Sequence, residues 1–198
     1  MKKNDFAAAL KALKNEEIII YPTDTLYALG ADIYNETAVR KVFDIKQRPY
    51  SVPLPVAVSS IQTIETIAYM NDAAYKISKK FLPGTLTIIM KKKLSVPDIV
   101  TSGQDSIAVR IPNHTIALEL LSQYGPLTVT SANLHHEKTL GSITDILIQL
   151  GTHIPICLND GRLDSVPSTI VDLSTSKPRI VRKGLVTEKE LLDVITHG

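Results

Sequence analysis

Near the N-terminus, hydrophobic residues recur at helical spacing: Phe6, Ala9, Leu10 and Leu13 share one face, and Asn4 or Asp5 is placed to cap the helix. The pattern then changes to a continuous apolar run, Ile18–Tyr21, which reads as a buried strand. Asn35 precedes a second helical face made by Ala38, Val39, Val42 and Phe43, and Leu54–Val58 reads as a short strand. Two more helical patterns follow before Pro83-Gly84 breaks the chain. Beyond the break lie two strong strands, Leu86–Met90 and Ile107–Ile111, joined by a polar connection. A helix over about 113–123 leads to a strand at Leu127–Thr130, and Ser142–Leu150 is helical again. Ile154–Leu158, Ser168–Leu173 and Arg179–Arg182 read as strands, and Thr187 caps a terminal helix.

Helices and strands are interleaved, yet several strands follow one another with no helix between them. That order predicts a mixed-sheet α/β (α+β) domain and not a purely parallel sheet. No internal repeat, low-complexity linker or composition break divides the 198 residues, so one domain over 1–198 is expected.

Composition changes this picture little. With 44% hydrophobic and 21% charged residues the chain has an ordinary globular make-up, and a net charge of +2 argues neither for nor against a polyanionic partner. The single cysteine, Cys157, excludes a disulfide within the chain and fits a reducing compartment. No signal-peptide core and no membrane-spanning apolar run stands in the sequence, so the expectation is a cytoplasmic protein with no membrane partner.

Several familiar chemistries are missing. There is no GxxxxGK[ST] loop, GxGxxG, HExxH or GxSxG, and no metal site is expected. His135-His136 is an adjacent pair without a third ligand nearby, and reads as a polar loop. What remains is a series of polar residues at strand ends, where ligand sites of α/β sheets form. The stretch YPTDTLYALG (21–30) leaves a buried strand as a hydroxyl-rich loop carrying Thr25. Lys46 and Arg48 close the second helix. In SIAVRIP, Ser106, Ala108 and Arg110 share one strand face and Ile107, Val109 and Ile111 the other. Thr130, Ser131, Asn133, Ser168 and Arg182 complete the set.

Each residue alone has a plainer explanation. Lys46 and Arg48 complement a helix dipole, Arg110 is half of an ion pair, and Ser131 and Asn133 make turn hydrogen bonds. Together, isolated cations and hydroxyls without paired carboxylates or a histidine base suit a polyanion bound beside a small zwitterion. Phosphoryl and nucleotidyl transfer need positioning and charge neutralisation more than a general base.

Eight segments resemble, in order, the YrdC-like family of threonylcarbamoyl-AMP synthases: YPTDTLYALG, IKQRP, PLPVAVS, FLPGTLTIIM, SIAVRIPNH, PLTVTSAN, PSTIVDL and RIVRKG. They cover residues from about 17 to 184. The resemblance implies a twisted open mixed sheet flanked by helices, with a large concave cavity. It also implies the synthesis of L-threonylcarbamoyladenylate and pyrophosphate from L-threonine, bicarbonate and ATP, with Mg²⁺ arriving on the ATP. Other proteins then pass the threonylcarbamoyl group to tRNA, which gives possible RNA contact. Carried over by position, Thr25, Arg110, Thr130 and Ser168 contact threonine. Lys46 and Arg48 act on the ATP phosphates as the catalytic pair, and Ser106, Ser131, Asn133 and Arg182 bind the nucleotide.

The chain departs from the family pattern at Ala28, where glycine is usual, at Val52, and in LHHEKTLG (134–141), which replaces LSGxPSPT. These departures motivate a competing reading, a paralogue with altered nucleotide chemistry. Lys91–Lys93 motivate another, a non-catalytic RNA-binding module, against which the 5% aromatic content counts.

Overall fold

A computed structural model describes residues 3–152, 154–163, 167–175 and 177–197. The amphipathic first segment forms α1 (Lys3–Lys14). It begins earlier than expected, so Asn4 and Asp5 lie in its first turn and are not its cap. The apolar run becomes β1 (Ile19–Pro22), and here the structure departs from the sequence reading. YPTDTLYALG is not a loop but a hairpin, in which β2 (Tyr27–Gly30) returns antiparallel along β1, Tyr21 opposite Ala28. Thr23 closes the turn: its amide donates to Leu26 O and its hydroxyl accepts from the amides of Thr25 and Leu26.

α2 (Glu36–Lys46) starts at the expected cap, with the Asn35 side chain accepting from the Ala38 amide. The strand expected over 54–58 shrinks to β3 (Val56–Ala57). α3 (Ile61–Ile67), the short β4 (Ala68–Tyr69) and α4 (Asp72–Phe81) follow, both helices capped by side chains, from Ser60 and Asn71. β5 (Leu86–Lys92) and β6 (Ser106–Arg110) stand as expected, though their polar connection contains a single helical turn, α5 (Asp98–Thr101). After α6 (Thr115–Tyr124), the expected strand over 127–130 divides into β7 (Leu127–Thr128) and β8 (Thr130–Ser131). α7 (Ile143–Leu150), β9 (Ile156–Cys157), β10 (Thr169–Asp172), β11 (Arg179–Arg182) and α8 (Glu188–His197) complete the chain. Thr187 and Glu190 cap each other's amides at the start of α8, a capping box.

The division at Val129 has a physical reason. Among the described residues there are two sheets, one ordered β8-β2-β1-β9 and one ordered β11-β10-β5-β6-β3-β7, with β4 paired to β5. β7 belongs to the larger sheet and β8 to the smaller, so the strand passes from one to the other. Thr128 fixes the crossing, since its hydroxyl donates to Leu29 O and accepts from the Ala31 amide, while Tyr21 Oη donates to its carbonyl.

Two apolar clusters hold this frame. The larger takes in β5 through Leu86, Ile88 and Met90, β6 through Ile107 and Val109, and α3, α4 and α8 through Ile64, Ile77 and Leu191. The smaller packs Phe6, Ala9 and Leu13 of α1 and Leu120 and Leu121 of α6 onto Ile19, Tyr21 and Ala28 of the hairpin. Each fully buried aliphatic side chain adds about 1.5–3 kcal/mol relative to exposure. Alternation along a strand then leaves the other face of β5 and β6 free for another use.

Candidate active site

That other face lines a cavity of about 290 Å³. Its floor is Thr87 and Ile89 of β5, Ser106, Ala108 and Arg110 of β6 and Ile170 of β10. The facing wall is Thr25 and Leu26 from the hairpin turn and Val129, Thr130 and Ser131 from the crossing strand. Pro53, Leu54 and Pro55 form an apolar side, and Arg48, Ser168 and Arg182 complete the rim. The cavity therefore lies between the two sheets, where the crossing strand joins them.

Eight of the ten residues singled out from sequence meet in this wall: Thr25, Arg48, Ser106, Arg110, Thr130, Ser131, Ser168 and Arg182. Lys46 and Asn133 do not. Lys46 is 1% exposed, and its ammonium donates to the carbonyls of Ser131 and Asn133 and to Asn133 Oδ1. It holds the Ser131–Asn133 turn and is not among the residues lining the cavity. Burial, reinforced by Arg48, pulls its pKa down to about 7. The cause of the separation is local: α2 ends at Lys46, Gln47 takes a left-handed conformation with φ 49°, and Arg48 leaves in another direction.

Arg48 is fixed by the backbone beside it. Its Nε donates to Val52 O at 2.9 Å and its Nη2 to Pro53 O at 2.8 Å. Val52 thus contributes through its carbonyl, which any side chain would supply. Nη1 lies 3.5 Å from His135 Nδ1, and the His135 amide donates to Lys46 O, so the loop after Asn133 packs against the same helix end. Ala28 likewise faces away from the cavity, into the smaller apolar cluster, fully buried.

Arg110 is 4% exposed and held at three points. Nη1 donates to Thr25 Oγ1 at 2.8 Å, and Nη2 donates to Asp24 Oδ1 at 2.6 Å and to Gly84 O at 3.2 Å. Arg182 closes the opposite side, with Nε donating to Ser168 O and Nη2 to Ser168 Oγ, both at 2.9 Å, while Ser168 Oγ sits 3.1 Å from Thr87 Oγ1. Burial lowers the pKa of Arg48, Arg110 and Arg182, and in Arg182 repulsion from Arg110 adds to it. No carboxylate stands in the described wall, and of the three arginines only Arg110 has an acidic partner, Asp24, set behind it. Such a cavity favours an anionic ligand.

Residues outside the sequence set also belong to the site. Thr87 lines the floor because strand alternation turns it away from the core, a signal present in LTIIM. Asp24 and Gly84 hold Arg110, and only the fold brings them to it. Cys157 offers no thiolate, since burial pushes its pKa up to about 11. Among the described residues no group of three or more His, Cys, Asp or Glu is placed to hold a metal, and no helix is long and apolar enough to cross a membrane.

Residues 11–184 match the profile of the Sua5/YciO/YrdC family, whose description reads "Telomere recombination". The chain belongs to this family. It is 41% identical over 182 residues to a Methanocaldococcus jannaschii protein provisionally named a threonylcarbamoyl-AMP synthase, covering 91% of this chain and 86% of that relative. It is 35% identical over 189 residues to the threonylcarbamoyl-AMP synthase of Yersinia enterocolitica, covering 89% of this chain and 97% of the relative. The structure of Pyrococcus abyssi Sua5 complexed with L-threonine matches with a TM-score of 0.91 at 32% identity, over 99% of this chain and 58% of that one. The mixed α/β architecture with helices flanking open sheets is the one expected from the sequence, and the division into two sheets adds to it.

Proposed function

We propose that this chain is an L-threonylcarbamoyladenylate synthase, converting L-threonine, bicarbonate and ATP into threonylcarbamoyl-AMP, pyrophosphate and water, for the modification of adenosine in tRNA. The observation that carries the reading is the convergence of Arg48, Arg110 and Arg182 with the hydroxyls of Thr25, Thr87, Ser106, Thr130, Ser131 and Ser168 on one cavity whose described wall has no carboxylate. Relatives named for this activity support it over a paralogue with other chemistry or an RNA-binding module.

In this reading Arg110 receives the amino-acid carboxylate, and Thr25, Thr130 and Ser168 surround its hydroxyl. Arg48, Ser106, Ser131 and Arg182 face the triphosphate, where the charge-assisted bonds of arginine neutralise the pyrophosphate as it leaves. Lys46 and Asn133 keep the Ser131 turn in register. Mg²⁺ enters as part of the substrate, held by phosphate oxygens and water. The same reading implies a cytosolic protein whose unstable product passes to a threonylcarbamoyl transferase, and a single domain over 1–198.

Purified protein given ATP, threonine and bicarbonate is expected to release pyrophosphate only when all three are present. Release that ignores threonine, or no release with any divalent metal, rejects the proposal.

A further inference from the structure

Arg48 meets the cavity with part of its guanidinium already committed. Its Nε and Nη2 donate to the carbonyls of Val52 and Pro53, and its Nη1 donates to His135 Nδ1 at 3.5 Å. Three of the five N–H groups are thus tied down, and one on each terminal nitrogen is left for a ligand. The two carbonyls grip the edge of the fork between Nε and Nη2, and His135 is the group that bears on Nη1.

His135 is itself seated by the chain around it. Its amide donates to Lys46 O at 2.8 Å, which ties it to the end of α2, two residues before Arg48. The preceding amide, of Leu134, donates to Gln149 Oε1 of α7, and Asn133 Nδ2 donates to Glu137 O. His136 then takes a left-handed conformation, φ 69°, and its ring centre lies 3.9 Å from that of His135, tilted by 39°. The histidines that depart from the family pattern are therefore an anchored pair of rings, one of which bears on an arginine of the cavity wall. His135 is not among the lining residues, so its route to the site runs through Arg48.

We propose that His135 is a positioning residue for Arg48, its neutral imidazole accepting from Nη1 and so fixing how the remaining N–H groups meet a triphosphate. This rests on the reading of the cavity as an ATP site. An acceptor at Nδ1 requires the proton on Nε2 and an uncharged ring. The surroundings favour that form: partial burial, then His136, Arg48 and Lys46, hold the pKa of His135 below the ordinary 6.5. The groups of α2 and its end that face the ring, Lys46 and Arg48, are both cations, α7 offers the neutral Gln149, and Glu137 of the same loop is exposed. Protonation would replace an acceptor with a third cation, and the guanidinium would lose its hold at Nη1.

The test is calorimetric binding of Mg·ATP and of L-threonine to the full chain, for the wild type, His135→Ala and His135→Asn. Asparagine is the conservative variant, because its Oδ1 stands where Nδ1 does and does not titrate. At about pH 8 the alanine variant should bind Mg·ATP about 3- to 10-fold more weakly and threonine within about twofold of the wild type, with asparagine restoring most of the loss. On lowering the pH to about 5.5 the wild type should lose affinity for Mg·ATP by about threefold or more relative to His135→Asn. The titrations of Lys46 and of ATP are common to both proteins and cancel in that ratio. An alanine variant with unchanged ATP affinity overturns the proposal, as does an asparagine variant no better than alanine. So does a wild type that stays level with His135→Asn as pH falls, or that tightens, since an imidazolium would then be meeting the phosphates itself. Should His135→Ala fail to fold, the pH dependence of the wild type against His135→Asn decides alone. Wild-type protein that binds no Mg·ATP defeats this inference and the synthase reading together. The expected pattern without threonine-dependent pyrophosphate release defeats the synthase reading only.

Discussion

Lys46 and Arg48 are two residues apart and part company at Gln47. The spacing was legible in the sequence and its meaning was not, because positions i and i+2 on a helix do not face the same way. Only the left-handed Gln47 shows that one cation goes under the turn and the other to the cavity. Lys46 carries a pH signature of its own. Its folded pKa, lowered by burial to about 7, lies below the ordinary value of 10.5. Below pH 7 the folded state bears the full cost of a buried charge. As pH rises from 7 towards 10.5 the unfolded chain binds more protons than the folded one, so stability increases with pH. The three acceptors around the ammonium, one for each N–H, reduce that effect without reversing it. Unfolding free energies from urea titrations should therefore rise for the wild type relative to Lys46→Met, by on the order of 2 kcal/mol between about pH 7 and about pH 9.5. Parallel curves for the two proteins would show that Lys46 does not titrate there.

Among the elements, β2 was the least legible. Tyr27, Ala28, Leu29 and Gly30 are all fully buried, with both strand faces covered, so the polar–apolar alternation that marks a strand is absent. The turn before it, rich in threonine and aspartate, looked like the start of a loop. β5 and β6 were legible because each has one apolar face and one mixed face. The alternation puts Ser106, Ala108 and Arg110 on one face, and all three line the cavity. The segment after β11 shows why a glycine follows Arg182 so closely. A Cβ on Gly184 would lie 2.4 Å from Thr169 N and 2.6 Å from Pro167 O. Only backbone without a side chain passes there, and the passage sets Arg182 against Ser168. Gly184→Ala should cost about 1–3 kcal/mol in denaturant stability. It should also raise the KM for threonine, because Ser168 is displaced. An unchanged KM in a folded variant would separate Gly184 from the site.

For the molecule as a whole, the order of helices and strands was enough to reach a mixed sheet, and eight collinear segments to reach the family. What stayed hidden was the partition into two sheets, which depends on pairings between residues far apart, such as Ala28 with Ser131 and Val56 with Thr128. Ten residues scattered from Thr25 to Arg182 could be recognised as a set. Their sorting into wall and support could not, because support means a side chain satisfied by backbone carbonyls that sequence does not position.

The crossing strand has a consequence for how the protein opens. A segment of five residues, Leu127–Ser131, serves both sheets, and the Val129 amide donates to Pro55 O midway between them. Neither sheet can detach without breaking that segment, so the two should behave as one cooperative unfolding unit. Native-state hydrogen exchange should give the amides of Leu29, Val109 and Val129 the same opening free energy, close to that of global unfolding. Distinct values for the two sheets would mean that the seam yields first, and with it the cavity that the seam encloses.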